Sequence, residues 1–161
     1  MRSLAIAVAV GLAAAPALAA QPPLTACNGD LRVTDRDPNG LNVRASPDGA
    51  ILTALKAKDR EVEVHVTGAT GQWAEIDTAT LVGASGETTL FKGHGFVAFS
   101  KLGIVSVWLA APLLAAPSDG AREITLRTIG DTGALPDSVL GCSGAYVKLR
   151  VRDVVGWARA F

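Results

Sequence analysis

Beyond its first twenty residues, the chain consists largely of short runs in which apolar and polar residues alternate. The run EVEVHVTG (61–68) alternates valine with Glu or His, and YVKLRVRD (146–153) alternates apolar with basic residues. A period of two is typical of a strand with one face buried. The runs are bounded by Gly, Pro, Asn or Asp, which suit the tight turns of antiparallel hairpins. No helical period with caps accompanies them. The pattern predicts an all-β fold.

Residues 1–20 depart from this pattern. Arg2 is followed by an apolar run that starts at Leu4 and by an A-x-A site at residues 17–19. A basic start, an apolar middle and a small-residue site are typical of a cleaved secretory signal peptide. Pro16 interrupts the run, so an uncleaved membrane anchor is the weaker alternative. We expect a periplasmic or secreted protein without a transmembrane segment after cleavage.

Three sequence blocks occur twice in the same order. The pairs are SPDGA (46–50) with APSDGA (116–121), VTGATGQWAEI (66–76) with VLGCSGAYVKL (139–149), and GFVAF (95–99) with GWARA (156–160). Three ordered matches predict two copies of one structural unit. We place the copies at residues 27–104 and 105–161.

The copies differ in two places. The first has residues 74–94 where the second has only 147–155. This insertion predicts a lengthened hairpin around residues 83–86, which loop-closure entropy tolerates well. The second copy reads PLLAA (112–116) where the first has the polar pattern LNVR.

The first copy resembles the bacterial SH3 domain family (SH3b, SH3 type 3). The matching pieces, from about Leu41 to Leu102, are LNVRASP, ILTAL, a charged turn at Lys58 and Asp59, VEVHVTG, GQWAEI and GFVAF. The second copy keeps GAYVKLRVRDVVGWA but lacks NVR, so it resembles a degenerate SH3b-like unit. The resemblance implies two small, partly open, five-stranded barrels in tandem. It also implies extracellular binding of cell-wall (peptidoglycan) peptides or of a protein partner in the envelope.

SH3-like grooves use aromatic walls to hold extended peptides. The corresponding ligand-binding candidates are Asn42, Arg44 and Trp73 in the first unit and Tyr146 and Trp157 in the second. For each aromatic residue the alternative is that it packs in the core of a small barrel.

Lys148, Arg150 and Arg152 form a basic stripe on one predicted strand. The stripe could contact an anionic wall polymer or the acidic surface of a partner. Two alternatives stay open, namely that it faces Glu61 and Glu63 of the other unit or that it faces water.

Cys27 and Cys142 are the only cysteines. An even count in an exported protein predicts a disulfide. Closing so long a loop would contribute about 4–5 kcal/mol in the chain-entropy model. Two buried free thiols are one alternative. A lipid anchor at Cys27 is another, because LTAC (24–27) fits a lipoprotein cleavage site.

Charge and motifs narrow the function further. The net charge is zero, which argues against a nucleic-acid partner. The only histidines, His65 and His94, lie in separate predicted strands, and a zinc site needs three or four closely spaced ligands. The sequence contains no H-E-x-x-H, G-x-S-x-G or Gly-rich phosphate loop. We expect no enzymatic activity, no metal and no cofactor.

These observations favour an exported, non-catalytic binding module. The second hypothesis is a structural or assembly subunit of an envelope complex, with interfaces at the hairpin 77–92 and the apolar segment IVSVWLAAPLL (104–114). A hydrolase is the least favoured hypothesis.

Overall fold

The computed structural model describes residues 23–56, 60–84, 86–104, 112–124 and 138–159. In these ranges the protein is built of strands, with one 3₁₀ turn as the only helical element, so the all-β prediction is confirmed. None of the described helical elements is long and apolar enough to cross a membrane. The predicted signal peptide (1–20) and the charged turn at 58–59 lie outside the described residues.

The first sheet is curled into a half-barrel of seven strands. Its elements are β1 (Thr25–Val33), β2 (Leu41–Arg44), β3 (Ile51–Leu55), β4 (Glu61–Thr70), β5 (Trp73–Gly83), β6 (Gly86–Ala98), the 3₁₀ turn η1 (Phe99–Lys101) and β7 (Leu102–Ile104). The strand order is β3-β2-β6-β5-β4-β1-β7, and neighbouring strands are antiparallel.

The second sheet has five strands. They are β8 (Leu113–Leu114), β9 (Glu123–Ile124), β10 (Ser138–Ser143), β11 (Tyr146–Val151) and β12 (Val154–Arg159). Their order, β9-β8-β12-β11-β10, repeats the path β3-β2-β6-β5-β4 of the first sheet. The first sheet therefore contains the same five-strand arrangement, extended at one edge by β1 and β7.

The aligned hairpins β4–β5 and β10–β11 share their register. The Cα partners are Val66–Ile76 and Val139–Leu149, Gly68–Glu75 and Gly141–Lys148, and Thr70–Trp73 and Ser143–Tyr146. Each hairpin has a register shift between the first and second of these pairs. The turn glycines Gly71 and Gly144 both have a φ of 56°. Residues aligned in the two sequence blocks thus occupy equivalent structural positions.

The alternating pattern places the valines of β4 inside. Val62, Val64 and Val66 are fully buried, whereas the side chains between them reach the surface. Buried residues of both sheets belong to one hydrophobic cluster, and β10 contacts β1, β4, β7 and η1. The strands of the two sheets come from residues 25–104 and 113–159. The division into domains at 27–104 and 105–161 stays a prediction.

A disulfide joins the two sheets. The sulfurs of Cys27 and Cys142 are 2.01 Å apart and their Cα atoms 5.8 Å apart. Beside it, the Gly144 amide donates a hydrogen bond to the Ala26 carbonyl at 2.8 Å. The predicted cysteine pair is therefore present in the structure. A sulfur in this bond has no thiol to carry lipid, so a lipid anchor at Cys27 and the disulfide exclude each other.

Candidate functional site

A cation, an aromatic ring and a carboxylate lie side by side on the outward face of the first sheet. Arg44 of β2 is the Cα partner of Phe96 of β6, and Phe96 is also the partner of Glu75 of β5. Directly paired residues of neighbouring antiparallel strands point to the same side. Their sequence neighbours Val43 and Val97 are fully buried on the opposite side.

Trp73 and Asn42 extend this row, because each precedes a member of the row by two residues in its strand. The guanidinium carbon of Arg44 lies 6.0 Å from the centroid of the Trp73 ring, within cation–π range. Trp73 is half-buried and Asn42 is exposed. The three ligand-binding candidates of the first unit therefore share one surface.

The turn after β2 fixes the direction of Arg44. Its Nη1 donates a hydrogen bond to the Gly49 carbonyl at 2.7 Å. The turn is closed by the Ala45 amide, which donates to the Ala50 carbonyl at 2.9 Å. A guanidinium has five N–H donors. One bond to the turn orients the group and leaves further donors for a ligand.

His94 lies at the Glu75 end of the row, opposite the end that Arg44 forms. Its Nδ1 lies 2.9 Å from Oε1 of Glu75, and its ring meets the Phe96 ring edge-on at a centroid distance of 5.0 Å. The Glu75 side chain is only 13% exposed, whereas that of His94 is 61% exposed. His94 thus covers Phe96 and Glu75 from the solvent side. We call Asn42, Arg44, Trp73, Glu75, His94 and Phe96 the outer-face cluster.

Sequence reasoning missed Glu75 and Phe96, and it considered His94 only as a metal ligand or as a catalytic residue of the least favoured hydrolase hypothesis. Both missed residues lie inside the recurring blocks GQWAEI and GFVAF. A comparison of outward positions in those blocks could have singled them out. Their contact with Arg44 depends on the pairing of β2 with β6, which the local pattern does not show.

Tyr146 and Trp157 lie on the second sheet, so the five predicted ligand contacts form two surfaces. By register, Tyr146 is equivalent to Trp73, Lys148 to Glu75 and Trp157 to Phe96. The ammonium of Lys148 lies 5.7 Å from the centroid of the half-buried Trp157 ring. A cation thus occupies the position that a carboxylate occupies in the first sheet.

Tyr146 is held within the protein. It is 8% exposed, and its hydroxyl donates a hydrogen bond to Asp119, which also pairs with Arg159 at 3.2 Å. The pKa of Tyr146 is raised, first because that hydrogen bond stabilises the neutral phenol, then because of burial and the charge of Asp119, partly offset by Arg159. The position of Tyr146 is explained by its packing in the protein and by its hydrogen bond to the turn that carries Asp119.

The predicted basic stripe is shorter than expected. Lys148 and Arg150 alternate with buried residues of β11, but the strand ends at Val151. Arg152 lies in the turn to β12 with a φ of 55°. Among the described residues, Lys148 and Arg150 form no ion pair with Glu61 or Glu63. Glu61 pairs instead with Arg32, at 3.8 Å.

A second feature of the first sheet is a cavity of about 320 Å³ at its outward face. We call it the acidic groove; it is lined by Asp30, Glu63, His65, Thr78, Thr80 and Glu87. His65 Nδ1 lies 2.9 Å from Asp30 Oδ1. The pKa of Glu63 is raised, chiefly by burial and further by the charges of Glu61, Asp30 and Glu87. Within the described ranges, no group of three or more His, Cys, Asp and Glu is arranged to hold a metal ion.

Comparison with known proteins found no matching family model, no matching curated protein and no matching solved structure. The resemblance to the SH3b family therefore stays a prediction. The candidate sites rest on the geometry of this chain's own residues.

Proposed function

We propose that this protein is an exported, non-catalytic binding module that recognises a peptide of the cell envelope through the outer-face cluster. The observation that carries the proposal is the row Arg44, Phe96 and Glu75, flanked by Trp73. The row combines an aromatic floor with a cation at one end and an anion at the other.

A peptide has the chemical groups that complement such a row. Its apolar side chains can cover the half-buried Trp73 ring, and its carboxylate can accept hydrogen bonds from the spare donors of Arg44. Its amino group can approach the edge of Glu75 that His94 leaves exposed. Peptidoglycan stem peptides carry both carboxylate and amino groups, which favours them over an uncharged ligand. A peptide of an envelope protein offers the same chemistry.

The contacts of His94 support binding over hydrolysis. Nucleophilic catalysis by a Ser, Thr or Cys needs that side chain within hydrogen-bond reach of a base. Among the described residues, His94 contacts Glu75 and Phe96, and both cysteines are joined in the disulfide.

Co-sedimentation with purified peptidoglycan sacculi at low salt tests the proposal. Trp73→Ala should weaken binding roughly 10- to 30-fold, as expected for an aromatic hot spot. Arg44→Ala should weaken binding as well, because it removes the cation of the row. Trp157→Ala is the matched control, since this aromatic residue lies on the other sheet and should leave binding unchanged.

Far-UV circular dichroism and the urea midpoint of each variant establish that it is folded. Wild-type protein that stays in the supernatant with sacculi would overturn the wall-peptide version. Equal binding by Trp73→Ala and the wild type would overturn the assignment of the outer-face cluster.

The hairpin β5–β6 favours a second candidate, a structural or assembly subunit of an envelope complex. β5 and β6 pair as far as Gly83 and Gly86, well beyond the length of the equivalent β11 and β12. The other interface predicted for this candidate, 104–114, lies mostly outside the described residues. A monomer by light scattering, with no co-purifying partner, would count against it.

A further inference from the structure

One patch on the outward face of each sheet carries charges of a single sign, and the two patches have opposite signs. The acidic groove of the first sheet brings Asp30, Glu63 and Glu87 together from three strands. On the second sheet, Lys148 and Arg150 project from β11 next to their partners Trp157 and Val155 of β12. We call these last four residues the basic face. The contrast arises within a repeated framework, because Lys148 stands where the first unit has Glu75.

Among the described residues, no carboxylate neutralises the cations of the basic face. The carboxylate of Asp119 pairs with Arg159, and neither Lys148 nor Arg150 forms an ion pair with another described residue. Lys148 is held against the Trp157 ring, and Arg150 is exposed beside Val155, which is 38% exposed. The face therefore presents two cations next to apolar surface.

The acidic groove has an excess of negative charge, which complements the basic face. His65 accompanies Asp30, but among the described residues neither Glu63 nor Glu87 forms an ion pair. Burial and, after it, the charges of Glu61, Asp30 and Glu87 raise the pKa of Glu63, and a cation entering the groove would offset the repulsion between these carboxylates. A cavity of about 320 Å³ has room for the end of a Lys or Arg side chain.

We propose that two copies of this chain associate head to tail, with the basic face of one copy docked on the acidic groove of the next. The partner is a second copy because the complementary surfaces occur on the same chain and do not pair within it. The two surfaces differ, so the contact is heterologous and can continue into rings or short chains. Since opposite charges drive it, salt should weaken it. This inference goes beyond the proposed function and uses none of the outer-face cluster.

Sedimentation velocity of the mature protein over a concentration series tests the association. At low salt we expect the average mass to rise with concentration to about twice the monomer or more. At about 1 M salt, where the screening length falls to about 3 Å, the mass should return to that of the monomer. A wild type that stays monomeric at low salt would overturn the proposal.

Charge reversal identifies the two surfaces. Lys148→Glu/Arg150→Glu and Glu63→Lys/Glu87→Lys should each be monomeric alone, because like charges then meet. An equimolar mixture of the two variants should associate again, since each offers a surface complementary to the other. Recovery in the mixture also shows that both variants are folded. Association by either variant alone, or none in the mixture, would refute the pairing.

A matched control distinguishes the effect of charge at the basic face from the effect of the protein's net charge on association. Arg36→Glu/Lys56→Glu changes the net charge by the same amount as Lys148→Glu/Arg150→Glu, at two exposed positions of the first unit. This variant should associate like the wild type. Trp73→Ala should also associate normally, so failure of the peptide-binding proposal and failure of this inference give different results.

Discussion

At the scale of single residues, Glu63 shows how a fold changes the chemistry of a surface carboxylate. β4 places it beside Glu61, Asp30 and Glu87, and burial together with these charges raises its pKa above the ordinary value of 4.5. The folded protein then keeps the Glu63 proton to a higher pH than the unfolded chain does. As pH rises through 4.5 towards the raised pKa, the unfolded chain loses its proton first, so stability falls.

Glu63→Gln removes the ionisable carboxyl group and, with it, the loss of stability that ionisation of Glu63 causes. We expect it to raise the free energy of unfolding at neutral pH by about 0.5 kcal/mol, a typical size for partly exposed charges. At about pH 3 both folded and unfolded chains hold the proton, so the variant should match the wild type. Urea unfolding of dilute protein at the two pH values measures the difference.

The control for this variant is Glu123→Gln on β9, which lies away from the acidic groove and should have little effect at either pH. If Glu63→Gln raised the free energy of unfolding equally at both pH values, the ionised charge of Glu63 would not be the cause of the increase.

At the scale of elements, the hairpins β4–β5 and β10–β11 show what the repeated glycines do. Gly71 and Gly144 begin the two-residue turns, and both have a φ of 56°. Side chains other than Gly, Asn and Asp adopt this region only at a cost. The aligned glycines therefore conserve a turn geometry between the copies, and the shared register follows from it.

Gly144→Ala tests this requirement, because a Cβ at Gly144 would meet no atom within 4 Å. Its cost is then that of the left-handed backbone alone, and we expect a loss of about 1 kcal/mol in the free energy of unfolding. Gly144→Asn should lower the free energy of unfolding by less, since Asn tolerates the left-handed backbone region. Denaturant unfolding of the purified variants provides the measurement.

Gly141→Ala is the matched control in the same hairpin. Its Cβ would also meet nothing within 4 Å, and its φ is outside the left-handed region. It should be neutral or slightly stabilising, because alanine lowers the entropy of the unfolded chain. An equal loss for Gly141→Ala and Gly144→Ala would contradict the role assigned to the turn.

At the scale of the whole molecule, a common core and the disulfide hold the two sheets together. Cys27 and Cys142 are both buried, and the bond links residues 115 positions apart. In the chain-entropy model a cross-link over so long a loop stabilises mainly by restricting the unfolded chain.

Cys27→Ala/Cys142→Ala should lower the free energy of unfolding by roughly 2–5 kcal/mol. Reductant should shift the urea midpoint of the wild type by a similar amount and leave the double variant unchanged. Gel mobility with and without reductant shows the bond directly. If reductant changed neither the urea midpoint nor the gel mobility of the wild type, the result would contradict the disulfide.

The sequence by itself determined the features that depend on local pattern. Alternation identified β4 and β11, the repeated blocks located equivalent hairpins, and turn residues indicated the long hairpin at 83–86. The physical reason is that side-chain period and turn chemistry act over a few residues. The end of β11 was misjudged because Arg152 continues the alternation, while the two-residue turn to β12 begins there.

Only the tertiary structure decided which outward side chains meet. Arg44, Phe96 and Glu75 are far apart in the sequence, and the acidic groove draws on β1, β4, β5 and β6. The addition of β1 and β7 to the first sheet likewise depends on long-range pairing. Strand order and register between distant segments are set by how buried faces pack together, and alternation within one strand carries no information about its neighbours.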